Sequence, residues 1–205
     1  MSKENNNVYS DKKLRMMVQI GMLGALATIL MMFQIPLPFF PPFYKFDFSE
    51  VPVLVGSLVL GPMAGTFIEL VKIAVIALIE GSTTAGIGEA ANFLIGCSFS
   101  VTAGVIYRKM RTRKGAVISL AVGVAAMTVV GSLLNAFVLL PVYADAFEMP
   151  LDKLVAMGTA VNKNITSLTS FVLFAVAPFN LLKGTVVSLI VFLIYKKIKP
   201  LFHMR

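Results

Sequence analysis

Asn180 and Lys183 are polar side chains that lie three residues apart at the start of the last apolar segment of the chain. On a helix this spacing places both on one face, where together they offer several hydrogen-bond donors and an acceptor. Placing a lysine within a membrane span costs about 2.5–3.5 kcal/mol or more of insertion free energy, so we expect Lys183 to have a structural or functional role. Two interpretations are open. Either Lys183 reaches the surface or pairs with an acid for stability, or the two residues form the polar wall of a ligand pocket.

The sequence lacks the residues that catalysis and metal binding would require. The chain has one histidine, His203, in its basic tail, and one cysteine, Cys97, inside an apolar run. These cannot supply a Ser-His-Asp triad, a histidine or thiolate metal site, or an intramolecular disulfide. The sequence also contains no Gly-x-x-x-x-Gly-Lys-Ser/Thr phosphate loop, the usual element for ATP hydrolysis. We therefore expect a binding protein that is not an enzyme, with no catalytic residues, metal or cofactor.

The composition is that of an integral membrane protein. The 205 residues are 58% hydrophobic and 14% charged, and the mean hydropathy is +0.86, whereas soluble domains carry about 25% charged residues. The apolar runs approach the length of about 20 residues that crosses a bilayer as a helix, which favours an all-α bundle over a barrel. The formal net charge of +8 is gathered in clusters beside the apolar runs. It therefore indicates contact with membrane lipid and not with nucleic acid.

Charge distribution decides how many times the chain crosses the membrane. The apolar stretch 51–79 could form one span or two spans broken at Gly61-Pro62. Basic clusters at 12–15, 108–114 and 196–205 all face the cytoplasm only if the chain turns there. The sequence thus predicts a six-transmembrane-helix bundle with both termini cytoplasmic. The predicted helices cover residues 16–35, 50–60, 62–80, 87–107, 116–140 and 179–198.

These helices belong to a single membrane domain over residues 12–205, preceded by a disordered leader over residues 1–11 that is rich in asparagine. Pro141 is expected to close the fifth helix, because proline cannot continue the hydrogen-bond ladder. The segment 142–171 then lies outside, and we expect short helices at 151–158 and 165–174.

The connection between the first two helices, residues 36–50, is proline-rich and unusually apolar; we call it the aromatic loop. Its candidate gating residues are Phe39, Phe40, Phe43, Tyr44 and Phe46. One interpretation is a belt of rings at the membrane interface, and the other is a lid over an aromatic ligand.

Polar groups from separate helices are predicted to meet beneath this loop. Asn92, Asn135, Asn180 and Lys183 all fall in the outer third of the last three helices, which suggests a site open to the outside. Asp47, Tyr44 and Phe48 in the loop are further candidates for ligand contact. Glu69 and Lys72, at positions i and i+3, are expected to neutralise each other on one face of the third helix.

Small residues on the first helix allow another helix to approach closely. Gly21 and Ala25 are spaced four apart, as are Gly24 and Thr28. Packing within the chain and docking of a partner protein both explain this pattern.

Four stretches together resemble the riboflavin-specific substrate-binding (S) component of energy-coupling-factor (ECF) transporters, the RibU family. They are Tyr44–Pro52, Leu60–Pro62 with the Glu69/Lys72 helix, Glu89–Phe93 and Pro178–Gly184. The resemblance implies a subunit in the bacterial plasma membrane that captures riboflavin from outside. It also implies partners, namely a transmembrane coupling protein and two ABC-type ATPases, which would supply the missing source of energy.

The resemblance implies roles for individual residues of this chain. Asn180 and Lys183 would bind the imide edge of the flavin ring, and Asn92, Asn135 and Asp47 are candidates for the ribityl hydroxyls. The aromatic loop would gate the pocket. The family docks its coupling protein with an Ala-x-x-x-Ala pattern, to which Gly21 and Ala25 come nearest, with Gly24 beside them. Two alternatives stay open: an S component for another vitamin or a flavin nucleotide, and a riboflavin facilitator that works without ATPases.

Overall fold

The protein is an almost entirely helical bundle in the computed structural model, which describes the backbone of residues 2–41, 43–82, 84–146 and 148–202, and side chains from residue 12 to 194 and at 197 within those ranges. The helices are α1 (Ser2–Met32), α2 (Glu50–Val59), α3 (Pro62–Glu80), α4 (Ile87–Met110), α5 (Arg113–Leu134), α6 (Leu140–Ala146), α7 (Leu151–Val161), α8 (Leu168–Phe171) and α9 (Ala177–Phe202). Two π-helical turns, Asn135–Leu139 and Val172–Val176, join α5 to α6 and α8 to α9.

Within the described residues, five stretches are long and apolar enough to cross a membrane. They are Lys12–Met32, Pro62–Glu80, Ile87–Met110, Arg113–Ala146 and Leu168–Ile194. Helix α2 is apolar but has only 10 residues, about 15 Å at 1.5 Å per residue, which is half of a bilayer core. The prediction of an all-α membrane protein is confirmed, whereas six crossings and cytoplasmic termini stay predictions. The predicted leader also stays a prediction; α1 is described from Ser2, and Met1 lies outside the described residues.

The break at Gly61-Pro62 is present as the charge distribution predicts. Gly61 has φ +119°, a conformation that glycine tolerates, and Pro62 occupies the first turn of α3, where its missing N–H breaks no hydrogen bond. Helix α2 therefore folds back beside α3. Its apolar face packs with α4, α5 and α9 in the main core, around Leu54, Phe99 and Val187.

Both prolines that were expected to end or begin helices lie inside continuous ones. The span Arg113–Ala146 runs through Pro141, and the span Leu168–Ile194 begins before Pro178, not at Phe179 as predicted for the last helix. Each proline comes two residues after the end of a π-helical turn. A wider turn relieves the clash between a proline ring and the preceding turn, so the helix continues. The predicted short helix at 165–174 is accordingly the start of the last span, and the one at 151–158 corresponds to α7.

Candidate functional site

A cavity of about 540 Å³ lies at the end of the bundle that carries the aromatic loop. This volume is within the range of about 300–1,000 Å³ that small-molecule sites occupy. Its polar lining residues are Gln34, Tyr44, Lys45, Asp47, Glu50, Asn92, Asn135, Tyr143, Asn180 and Lys183. Its other lining residues are Met31, Phe43, Gly88, Ile95, Met127, Leu139, Met149, Leu154, Met157 and Phe179. The lining thus combines an amide and charged wall with flexible methionines and aromatic rings.

The asparagines and the lysine that the sequence places at one level, Asn92, Asn135, Asn180 and Lys183, all line this cavity. Two of the amides are held by their own helices. Nδ2 of Asn135 donates to the carbonyl of Gly131 at 2.8 Å, and Nδ2 of Asn180 donates to that of Val176 at 3.0 Å. Because a carboxamide has two N–H donors, each keeps one that these hydrogen bonds do not use. The amides are therefore oriented before any ligand arrives.

The π-helical turns lie at this cavity. Asn135 and Leu139, the first and last residues of one turn, both line it. The other turn ends at Val176, whose carbonyl accepts the hydrogen bond from Asn180. Such turns change which residues face a neighbour and are frequent at functional sites.

Tyr44 connects the aromatic loop to the span Arg113–Ala146 by a hydrogen bond. Its hydroxyl donates to Oδ1 of Asn135 at 2.7 Å, and its ring lies 5.2 Å from that of Phe179. Burial raises the pKa of Tyr44 well above its ordinary value, with Tyr143 adding to the effect. The hydroxyl is therefore neutral and able to donate.

Lys183 forms an ion pair across the cavity with the loop residue Asp47. Nζ of Lys183 lies 2.8 Å from Oδ2 of Asp47, and the two side chains are 12% and 6% exposed. Burial acts to raise the pKa of Asp47, but the ammonium groups of Lys183 and Lys72, with hydrogen bonds from Lys183 and Ser49, outweigh it and lower the pKa to about 2. Both interpretations of Lys183 are thus compatible with the structure, because the lysine pairs with an acid and also faces the cavity.

A second ion cluster lies beneath the cavity. Nζ of Lys72 is 2.7 Å from Oε1 of Glu69, as the i, i+3 spacing predicts, and also 2.7 Å from Oε1 of Glu50. All of these side chains are at most 3% exposed. Glu50 also lines the cavity, so the cluster connects the floor of the site to α2 and α3.

The predicted gating residues divide into distinct groups. Phe43 and Tyr44 line the cavity; Phe40 packs edge-on against Phe179, with centroids 5.3 Å apart; and Phe39 is 80% exposed. Phe46 and Phe48 contact each other at 5.1 Å.

Phe48 was predicted to contact the ligand, but it is absent from the cavity lining and packs on the main core. The reason is local geometry. Loop residues Lys45–Phe46 pair with Ile35–Pro36 in a short antiparallel ribbon, and the chain then turns into α2. Phe48 therefore meets the core side of the bundle. Gating by the loop stays a prediction.

The small residues of α1 face two directions. A side chain at Gly24 would meet Val71 of α3 at 2.5 Å, so Gly24 packs within the chain, and its docking role stays a prediction. Gly21 has nothing within 4 Å of its would-be Cβ, and Ala25 is exposed one turn later. Of the four small residues Gly21, Gly24, Ala25 and Thr28, only Gly21 and Ala25 are exposed on α1.

A second cavity of about 330 Å³ adjoins the first and shares Met31, Gln34, Gly88, Asn92 and Tyr143 with it. It extends towards the end of α3, where Glu80 and Glu89 line it. The second cavity thus adds space beside the first, lined in part by the carboxylates of Glu80 and Glu89.

Sequence reasoning missed several lining residues. Glu50 was identified only as a helix start, and Gln34, Tyr143 and the methionines were not singled out. Glu50 carried a usable signal, since it is an acid at the entrance of an apolar helix. The methionines carried none, because apolar residues in a membrane helix can face lipid, core or ligand alike.

Comparison with known proteins gives a consistent result. A family described as "ECF transporter, substrate-specific component" matches residues 15–195. Riboflavin transporter FmnP of Bacillus subtilis (strain 168) is 34% identical over 189 residues, which is 92% of this chain and 94% of the relative. Riboflavin transporter RibU of Staphylococcus aureus (strain TCH60) is 35% identical, covering 94% and 93% of the two chains.

The fold agrees with the sequence relatives. A solved S component of a bacterial ECF transporter matches 94% of this chain and 99% of its own, with a TM-score of 0.71 and 32% identity. The assignments of family and fold therefore rest on matches that cover nearly the full length of the chain.

Proposed function

This chain belongs to the family of substrate-specific components of ECF transporters, and we propose that it binds riboflavin in the cavity beneath the aromatic loop and delivers it to an ATPase module. One observation carries the choice of ligand. In a chain whose relatives are named riboflavin transporters, an ammonium and carboxamides face the same cavity as methionines and aromatic rings. Such a lining is complementary to a flat heterocycle with one polar edge and one apolar edge.

Asn180 and Lys183 are the proposed partners of the imide edge of the flavin. The carbonyls of that edge accept hydrogen bonds and its N–H donates one, so a lysine and a carboxamide supply both kinds of partner. Asn180 and Lys183 lie three residues apart on α9, and Asn180 is 5% exposed. The ring then extends towards methionines such as Met127 and Met157, which adapt their shape to aromatic groups.

Asn92 and Asn135 remain the proposed partners of the ribityl hydroxyls, and the adjoining cavity gives the ribityl chain room. The role proposed for Asp47 changes, because its carboxylate binds Lys183. Asp47 would position the lysine and close the loop over the bound flavin. Tyr44 would support the amide of Asn135 from the same loop.

The transport step requires partners, because the sequence has no ATP-hydrolysing loop. We assign these partners as the coupling protein and two ABC-type ATPases of an ECF module, in the bacterial plasma membrane. The exposed Gly21 and Ala25 on α1 are the proposed docking surface, since small residues permit close helix contact. The proposed topology keeps six membrane segments, with α2 as a short one, and both termini in the cytoplasm.

The ligand is tested with the purified protein in a neutral detergent. Protein isolated from riboflavin-containing medium should show flavin absorption bands, and quenching of flavin fluorescence should give the affinity. Lys183→Ala should weaken binding at least about ten-fold, because an unmatched buried polar edge costs about 1–3 kcal/mol. Lys153→Ala, an exposed lysine outside the cavity lining, is the matched control. No flavin binding would contradict the proposal, and unchanged affinity of Lys183→Ala would remove that residue from the site.

Transport and docking need separate assays. Liposomes containing this chain alone should not accumulate riboflavin, and uptake should require the ATPase module; uptake without it would identify an autonomous facilitator. Gly21→Leu should prevent co-purification with the module and leave flavin affinity unchanged, because nothing in the chain lies near that position. Normal co-purification would contradict the docking surface.

A further inference from the structure

A small pocket lies at the end of the bundle opposite to the cavity. Its volume is about 110 Å³, and it is lined by the end of α2 and its turn, Leu58 to Gly61, and by the end of α4, Tyr107, Arg108 and Arg111. The cavity described above lies at the start of both helices. The pocket therefore opens at the other boundary between the apolar bundle and its polar surroundings.

The guanidinium of Arg108 rests against the turn at Gly61. A Cβ built on Gly61 would lie 3.5 Å from Cζ, 3.6 Å from Nη1 and 3.7 Å from Nε of Arg108. These nearly equal distances indicate that the plane of the guanidinium faces the backbone. Its N–H donors lie in that plane and so point sideways, which leaves them available to a ligand in the pocket.

Arg111 reaches the same pocket from a strained position. It ends α4 with φ +44°, and its N–H donates to the carbonyl of Tyr107 at 2.8 Å. This left-handed conformation usually takes glycine and costs a residue with a side chain about 1–2 kcal/mol. The chain keeps an arginine at a position where glycine would be more stable.

Among the side chains that the structure describes, no acid pairs with either arginine. Five basic residues occur between positions 108 and 114, and the sequence has no aspartate or glutamate from residue 90 to 144. The buried acids of α2 and α3, Glu50 and Glu69, are paired with Lys72. Among the described residues, neither Arg108 nor Arg111 forms an ion pair. The carbonyls at the ends of α2 and α4 offset only part of two full charges, since a helix end carries about half a unit.

We infer that Arg108 and Arg111 form a binding site for an anionic phosphate group, supplied by the headgroup of a membrane phospholipid. Guanidinium groups match the geometry of phosphate oxygens, and basic pockets between transmembrane helices suit anionic headgroups. The site lies where helices leave the apolar layer, at headgroup depth. A bound headgroup would link the α2–α3 turn to the end of α4.

The test compares lipids and charge-matched variants of the full chain. Native mass spectrometry of protein in detergent with equal amounts of phosphatidylglycerol and phosphatidylcholine should show preferential retention of phosphatidylglycerol. Each arginine contributes about five-fold, so the double variant Arg108→Gln/Arg111→Gln should lose about 25-fold in preference. The control Arg113→Gln/Lys114→Gln removes the same charge outside the pocket lining and should retain most of it.

A further variant separates binding from folding. Arg111→Gly relieves the left-handed strain, so it should melt at a higher temperature than the wild type in lipid-free detergent and yet lose preference for phosphatidylglycerol. Absence of lipid preference in the wild type, or equal loss in both double variants, would overturn the site. If inorganic phosphate raised the melting temperature as much as phosphatidylglycerol does, the phosphate group would not need to come from a lipid, and that part of the proposal would be wrong. Loss of ATPase-module binding with unchanged lipid preference would assign the arginines to a protein contact instead.

Discussion

Replacing Lys183 with methionine should change how the stability of the protein depends on pH, because this lysine sets the charge state of Asp47. In the wild type the pKa of Asp47 is lowered from 3.8 to about 2. A pKa change of this size corresponds to about 2–3 kcal/mol of stability. Since the folded-state pKa is depressed, this stabilisation is fully present above pH 3.8. It is lost as the pH falls through about 2.

Methionine preserves most of the side-chain volume but removes the ammonium at 2.8 Å. Burial, the largest influence on this carboxyl, then acts against fewer opposing charges, so the pKa of Asp47 rises. The loss of stability between pH 4 and pH 2 that Asp47 causes should therefore disappear in Lys183→Met. At pH 7 the variant should be less stable by about 2 kcal/mol, because a mostly buried carboxylate has lost its partner.

Equilibrium unfolding in a neutral detergent, followed by helical circular dichroism from pH 2 to pH 8, measures both effects. The other ionisable groups are common to all variants, so the difference between curves isolates Asp47. Asp47→Asn/Lys183→Met should recover part of the stability at pH 7, and the exposed-lysine variant Lys153→Met should behave as the wild type. An acid slope in Lys183→Met equal to that of the wild type would refute the reasoning.

Three further outcomes follow from the same contacts. Lys72→Met should destabilise the fold by about 3–5 kcal/mol in the same unfolding assay, because it leaves two buried carboxylates without a partner; a loss below about 1 kcal/mol would contradict the buried cluster. Tyr44→Phe removes the hydroxyl that donates to Asn135 and should weaken riboflavin binding about three- to ten-fold by fluorescence titration, whereas unchanged affinity would show that this hydrogen bond does not support the site. Hydrogen exchange in the aromatic loop should slow when riboflavin binds, whereas exchange in α2 should be slow both with and without the ligand. Equal protection of the loop with and without ligand would contradict its role as a gate.

The sequence predicted the features that depend on charge and spacing within one segment. The turn at Gly61-Pro62 followed from the positions of basic clusters, and the pairing of Glu69 with Lys72 followed from their helical spacing. The common depth of three asparagines and Lys183 followed from counting turns along the spans. Each of these inferences used rules that operate over one helix or over the membrane as a whole.

Contacts between distant segments could not be predicted in this way. Asp47 and Lys183 are 136 positions apart, and only the folded loop brings them together. Pro141 was predicted to end the fifth helix because the rule for proline assumes an α-helical ladder, which the π-helical turn before it modifies. The predicted last helix began at residue 179 and so missed the part of the span that precedes Pro178. Gly24 was grouped with Gly21 by residue type, although the direction of each depends on where α3 packs.

The two ion clusters differ in a way that explains how the loop could open without loss of the fold. Asp47 and Lys183 are partly accessible from the cavity, with side chains 6% and 12% exposed. When the ion pair separates, polar groups of an entering ligand or water can therefore take the place of the missing partner at each residue. Lys72 and its two glutamates are at most 3% exposed, so nothing can replace a partner that leaves. Asp47 and Glu50 are only three residues apart along the chain, and the backbone N–H of Ser49 between them donates to Asp47 at 2.8 Å. We therefore propose that the predicted motion of the loop ends at this short segment, because Asp47 can exchange its partner whereas Glu50 holds α2 against α3.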